Sequence, residues 1–129
     1  MKSEGNFTIK NKTKGKLPSL PFLNMKEKVL GKNYDLSLVI INKKEIHELN
    51  NKYRKVDSPT DILSFPIDKN TGEIFICQEI AKKKAPEFDR EYYNFLSYLF
   101  IHGLVHLLGH DHGDKMEKIE EVNRSYFQI

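Results

Sequence analysis

Cysteine is nearly absent from this 129-residue chain. Cys77 stands alone, so no disulfide can form within it. A fold built without that cross-link suits a reducing compartment, and a cytoplasmic location is expected. Long hydrophobic runs are missing as well. The most apolar stretch, residues 92–109, is interrupted by Asn94, Ser97, His102 and His106. A membrane-spanning helix needs about 20 mostly apolar residues, so no membrane association is expected. The N-terminal MKSEGNFTIK has no apolar stretch after its lysine and is not expected to act as a secretory signal. No internal repeat or low-complexity tract occurs. Arginine is scarce too, with only Arg54, Arg90 and Arg124.

What is present describes a soluble chain with one core. Hydrophobic residues make up 39% and charged residues 30%, values ordinary for a globular domain, and one domain is expected over residues 1–129. The net charge of +3 hides an asymmetry. Residues 1–55 carry twelve lysines and one arginine against five acids; residues 56–129 carry six lysines and two arginines against thirteen acids. A basic half can track a phosphate backbone. On charge alone a solvated lysine-rich surface is the better account, because net charge speaks to solubility before it speaks to a site.

The pattern of elements predicts an α+β domain, with a small mixed sheet of about four strands packed against helices. Residues 6–12 alternate weakly, as an edge strand would. A helix follows from about Phe22, once the prolines of LPSLP have passed, and Gly31 stops it. DLSLVIIN, residues 35–42, is the clearest strand. Residues 43–55 read as a helix and ILSFPI, residues 62–67, as a strand whose Pro66 suits an end or an edge. The turn at Lys69–Gly72 leads into a pairing strand, EIFIC. Residues 78–85 begin a helix that Pro86 breaks. A second helix is expected from about Glu87 to Leu108, apolar nearly all round and therefore buried. Gly109 ends it, and residues 114–127 form a last amphipathic helix.

The chemistry concentrates at the end of that buried helix. Four of the five histidines fall within HGLVHLLGHDH, residues 102–112. Residues four apart share a helical face, so His102 and His106 point the same way. Gly109 can adopt the left-handed conformation that reverses a chain, which would bring His112 back as a third ligand. Three neutral imidazoles suit Zn²⁺ and leave a fourth position for water. The spacing H-x3-H-x2-G-x2-H is shared with zinc peptidases that carry Glu after the first histidine as general base. Here that position is Gly103, so the metal cage is expected without the peptidase base, and with open space beside the ion. Asp111 is expected either to orient a ligand imidazole or to cap the next helix. His110 is a loop residue or a contact near the metal. His47 is given no role.

These residues also carry a family resemblance. HGLVHLLGHDH resembles the H-G-x-L-H-L-x-G-Y-D-H signature of the bacterial YbeY family, metal-dependent endoribonucleases of rRNA maturation. LNNKYRKVDSPTDILSFP, residues 49–66, resembles that family's L-N-x-x-Y-R-x-x-D-x-P-T-D-V-L-S-F-P segment, and GEIFIC, residues 72–77, its G-D-I-x-I-C strand. The likeness runs from about Asp35 onward, and the first 30 or so residues carry little of it. It implies a single α+β domain, one zinc held by His102, His106 and His112, and a functional role for Arg54. It further implies single-stranded ribosomal RNA precursor as substrate, with processing of the 16S rRNA 3′ end and ribosome quality control as its setting, and small-subunit ribosomal proteins as partners. Two positions depart from the pattern: Val105 replaces a leucine, and His110 replaces a tyrosine.

A mechanism consistent with both readings follows from simple chemistry. Zinc lowers the pKa of a bound water to about 7, and cleavage of a phosphodiester needs compensation of charge growing on the phosphate oxygens. Arginine suits that task through its planar, permanently charged fork; on sequence alone Arg54 could equally be an exposed cation with no role, and the resemblance makes it an expected catalytic residue, with Asp111 added by its proximity in sequence to the histidines. The lysines of the first half would hold the RNA backbone without reading sequence. The general acid is open between Asp111 and His110. Thr60, Asp61 and Ser64 are either cleft residues or ordinary turn caps. Cys77 is expected to be a buried strand residue, with a fourth, thiolate ligand as its alternative. Two other functions stay in view. One is a non-catalytic RNA- or ribosome-binding factor stapled by zinc; the other is a zinc peptidase that takes its base from elsewhere.

Overall fold

The computed structural model describes residues 6–109 and 113–129. Its spine is β2 (Asp35–Ile40), where the run DLSLVI buries both faces. Leu36, Leu38 and Ile40 turn to one side; Val39 and the following Ile41 turn to the other, and all are buried. Strand β1 (Phe7–Asn11) pairs with it in parallel along one edge, and β4 (Thr71–Ile76) pairs in parallel along the other. Strand β3 (Ile62–Asp68) closes the sheet antiparallel to β4, giving the order β1-β2-β4-β3. The inner strands, β2 and β4, are the ones covered on both faces, as expected for parallel pairing. Pro66 lies on the outer strand next to a register irregularity between Pro66 and Asp68, where its missing N–H costs no ladder bond. The β3–β4 hairpin is tightened by Asp68, whose carboxylate accepts from the Asn70 backbone N–H at 2.9 Å.

Helices cover both faces. On one, α1 (Phe22–Leu30) and α4 (Tyr92–Leu107) set Phe22, Met25, Phe100, Ile101 and Leu104 against Leu36, Leu38, Ile40, Ile74 and Ile76. Each such side chain contributes roughly 1.5–3 kcal/mol on leaving water. On the other, Ile46 of α2 (Lys43–Arg54) packs with Val39, Ile41, Leu63 and Cys77. Two further helices, α3 (Gln78–Lys84) and α5 (Asp114–Tyr126), pack against α4. The expected class, a single α+β domain with a mixed four-stranded sheet and a buried central helix, is the one observed. Among the described residues no helix is long and apolar enough to cross a membrane.

One boundary differs from expectation. The buried helix starts at Tyr92, not near Glu87. Residues Ala85–Phe88 form a single 3-10 turn, and Asp89 is left-handed at φ 56°. Residues 87–91, EFDRE, contribute no apolar period to hold a helix on the sheet. The start is fixed instead by Glu91, whose carboxylate accepts from the Asn94 N–H at 2.7 Å and the Tyr93 N–H at 3.2 Å. Cys77 likewise sits one residue past β4, as the N-cap of α3.

Candidate active site

His102 and His106 lie one turn apart near the end of α4. Their ring centroids are 5.7 Å apart and their planes cross at 88°. Nδ1 of His102 is 3.1 Å from each carboxylate oxygen of Glu120 on α5. Donation of Nδ1–H to that carboxylate leaves the lone pair on Nε2, the arrangement metal-ligating histidines use. Glu120 is only 4% exposed. Its second partner is Arg124, with Nη1 at 3.4 Å; the same guanidinium reaches Glu117 at 3.3 Å. A buried carboxylate stripped of its partners costs roughly 3–5 kcal/mol, so the pairs hold one another in place. Glu120 is absent from the sequence-based set of site residues. Its signal was helical spacing: Met116, Glu120 and Asn123 are the buried residues of α5, which puts an acid on the inward stripe.

Across a cleft of about 410 Å³ stands Arg54. It is the last residue of α2 and is exposed. Lys55 follows in the left-handed conformation at φ 62° and returns its N–H to the Asn50 carbonyl. Asn50 is itself 3% exposed, and its side-chain amide donates to the Ser58 carbonyl at 2.9 Å. The cap and this bond turn the chain sharply away and leave Arg54 on the rim. Thr60, Asp61 and Ser64 line the same cleft as His102 and His106, which resolves in favour of cleft residues the choice left open by the sequence. Asp61 is 7% exposed, accepts from the Thr60 hydroxyl at 3.3 Å and lies 3.6 Å from Lys84 Nζ.

Gly103 corrects an expectation. It faces the sheet, and no open space lies beside it. A Cβ there would come within 2.9 Å of Ile62 Cδ1 and Ser64 Oγ and 3.2 Å of Ile74 Cδ1. Its carbonyl accepts from the Ser64 hydroxyl at 3.3 Å. The position where zinc peptidases keep a glutamate is here the contact at which α4 lies down on β3 and β4, and a glutamate there must displace the tips of Ile62, Ser64 and Ile74 and bury its carboxylate among them. Gly109 does end the helical path, at φ +94°. Three of the expected site residues, His110, Asp111 and His112, lie outside the described residues. Cys77 is buried in the cluster on the α2 side of the sheet and does not line the cleft. His47 pairs with Asp57 at 2.8 Å on the surface.

Among the described residues no group of three metal-ligating side chains comes together. The pair that does, His102 and His106, has the right chemistry for a divalent ion: two imidazoles on one helical face, one with its outer nitrogen already committed to a carboxylate.

The family model for Endoribonuclease YbeY matches residues 6–128. The Endoribonuclease YbeY of Aliarcobacter butzleri is 36% identical over 124 residues, which are 88% of this chain and 87% of that one. Its counterpart in Staphylococcus carnosus is 33% identical over 111 residues, 77% and 72% of the respective chains. A Thermotoga maritima protein solved in solution superposes with a TM-score of 0.60 at 29% identity, covering 95% of this chain and 92% of its own. The family match takes in β1 and α1, the region where sequence motifs are faint, as well as the histidine helix and the Arg54 turn. With the same motifs in order and the same fold beneath them, this chain belongs to the YbeY family.

Proposed function

We propose that the cleft between Arg54 and the histidine pair cleaves single-stranded RNA by metal-assisted hydrolysis. The chain is an endoribonuclease, a hydrolase of phosphodiester bonds, and its family points to ribosomal RNA processing. We infer further that the substrate is the precursor of 16S rRNA at its 3′ end, with small-subunit ribosomal proteins as partners. The ion is one zinc per chain, held by His102, His106 and His112. When bound, zinc would supply a water of lowered pKa and a Lewis acid for the phosphoryl group.

The chain's own residues do the rest. Glu120 fixes the tautomer and direction of His102. Arg54 offers a planar pair of donors to the phosphate oxygens as their charge grows. Asp61 and Lys84 neutralise one another at the cleft wall and leave Arg54 as the cation at its rim. Hydrolysis would make a P–O bond to a water oxygen and break the P–O bond to the leaving nucleotide, the proton given up by the water being balanced by the one the leaving oxygen takes up. Asp111, with His110 beside it, is the candidate donor, by proximity in sequence to the third ligand.

The single observation that carries this reading is the meeting of Arg54, from residues 49–66, with His102 and His106, from residues 102–112, around one cleft. The two segments are remote in sequence. Zinc content and RNA cleavage should be measured together. Chelation and His106→Ala should each abolish cutting of single-stranded RNA, and added zinc should restore the first but not the second. Metal-free protein that still cuts at the original rate would overturn the zinc assignment. Metal-loaded protein with no turnover on any RNA would favour the stapled binding factor.

A further inference from the structure

Tyr53 and Phe65 line the catalytic cleft on one side and a second hollow on the other. That hollow, about 300 Å³, is completed by Leu49, Phe75 and Glu73. Its walls follow from the fold. Leu49 and Tyr53 are one turn apart on α2, and Phe65 pairs with Glu73 across the β3–β4 ladder while Leu63 pairs with Phe75. Phe65 and Phe75 are thus diagonal neighbours on one sheet face. The rings form a chain: Tyr53 to Phe65 at 5.5 Å between centroids and 62°, then Phe65 to Phe75 at 5.8 Å and 67°.

Three features identify what fits there. Tyr53 is 58% exposed, so a large aromatic surface at the cleft mouth meets water. Lys52, itself exposed, holds Nζ 5.1 Å over the centre of that ring, a cation whose place a stacked base takes and whose charge can then turn to phosphate. Among the described residues the hollow's lining has no cation and one carboxylate, Glu73, which repels phosphate while the apolar rings attract a flat, uncharged group. Arg54, the very next residue after Tyr53, is the phosphate-facing cation of the adjoining cleft. A phosphate at Arg54 and a base at Tyr53 are the two ends of one nucleotide.

We propose that the unpaired base next to the scissile phosphate stacks on Tyr53 at the mouth of this hollow, with the Glu73 carboxylate accepting from an exocyclic amino group of the base. The inference rests on the endoribonuclease reading and deepens it. A base can be splayed onto an aromatic ring only where it is not already paired and stacked, so the subsite gives the cleft a physical reason to take single strands. The carboxylate gives it a bias toward amino-bearing bases over uracil.

The chain has no tryptophan, so Tyr53→Trp creates a sole reporter. Its emission should change on titration with single-stranded RNA and stay constant with a duplex, or with RNA made abasic beside the cut. Tyr53→Ala should weaken binding of single-stranded RNA about tenfold, within the range for loss of one base–aromatic stack, while Tyr53→Phe retains tight binding. Glu73→Gln should erase the preference over uracil. If Tyr53→Ala binds and cuts as the wild type does, the subsite is wrong and the nuclease assignment stands. If the wild type neither binds nor cuts RNA, the endoribonuclease reading falls and takes the subsite with it. Trp emission that changes with protein concentration alone, without RNA, would assign the hollow to self-association and overturn the proposal.

Discussion

The two walls of the cleft are held in opposite ways. The histidine wall is half-buried and fixed from several directions. Gly103 presses α4 onto the sheet, Glu120 pins His102, and Arg124 braces Glu120 while lying 5.1 Å over the Tyr98 ring. The arginine wall is the bare end of α2, where Tyr53, Arg54 and Lys55 are all exposed and a left-handed cap is the chief restraint. Groups that must keep a fixed geometry sit where packing determines them. Arg54, the group proposed to meet a large charged substrate, sits where packing leaves it accessible. Substitutions on the first wall should therefore disturb fold and function together, and those on the second should disturb function alone.

Substitutions at four positions would break or sharpen that contrast. The largest effect is expected for Gly103→Glu, which drives a side chain into the α4–sheet contact. It should cost about 3 kcal/mol or more, a fall in Tm on the order of 10 °C, and confer no peptidase activity; a variant that melts like the wild type would show that the layers part easily. Arg54→Ala should lower turnover roughly 100- to 1,000-fold, with stability unchanged to within about 0.5 kcal/mol in denaturant titration. Arg54→Lys should restore little, because an ammonium cannot bind phosphate in a planar fork. Loss of stability equal to loss of rate would erase the distinction between the walls. Glu120→Ala should weaken metal binding about 10- to 100-fold by competition with a chromogenic chelator, and an unchanged affinity would remove Glu120 from the site. The smallest effect is expected for Cys77→Ala: about 1 kcal/mol of stability and an unaltered metal stoichiometry, whereas loss of metal would return the thiolate to the ligand set.

Local features of the sequence carried much of this architecture. DLSLVI was the clearest strand, the turn at Lys69 and Asn70 signalled a hairpin, and Pro66 suited a strand end or an edge. The same holds for one half of the site. His102 and His106 share a face by helical period alone, and the Arg54 segment is legible by resemblance. What escaped has one cause, contact between residues far apart in sequence. Glu120 is one acid among several on α5 until α4 lies beside it. Gly103 looks like vacant space until Ile62, Ser64 and Ile74 arrive from two strands. The late start of α4 reflects a similar limit, since four charged residues around the single Phe88 gave periodicity nothing to act on.

The bond from Glu120 to His102 has a thermodynamic corollary. It ties the C-terminal helix to the helix that carries the histidines, and Gly109 and Gly113 flank the short link between them. Whatever steadies those imidazoles must also steady the docking of α5, and whatever loosens α5 must release them. An ion held by those imidazoles and the docking of the final tenth of the chain would then be linked equilibria, each favouring the other.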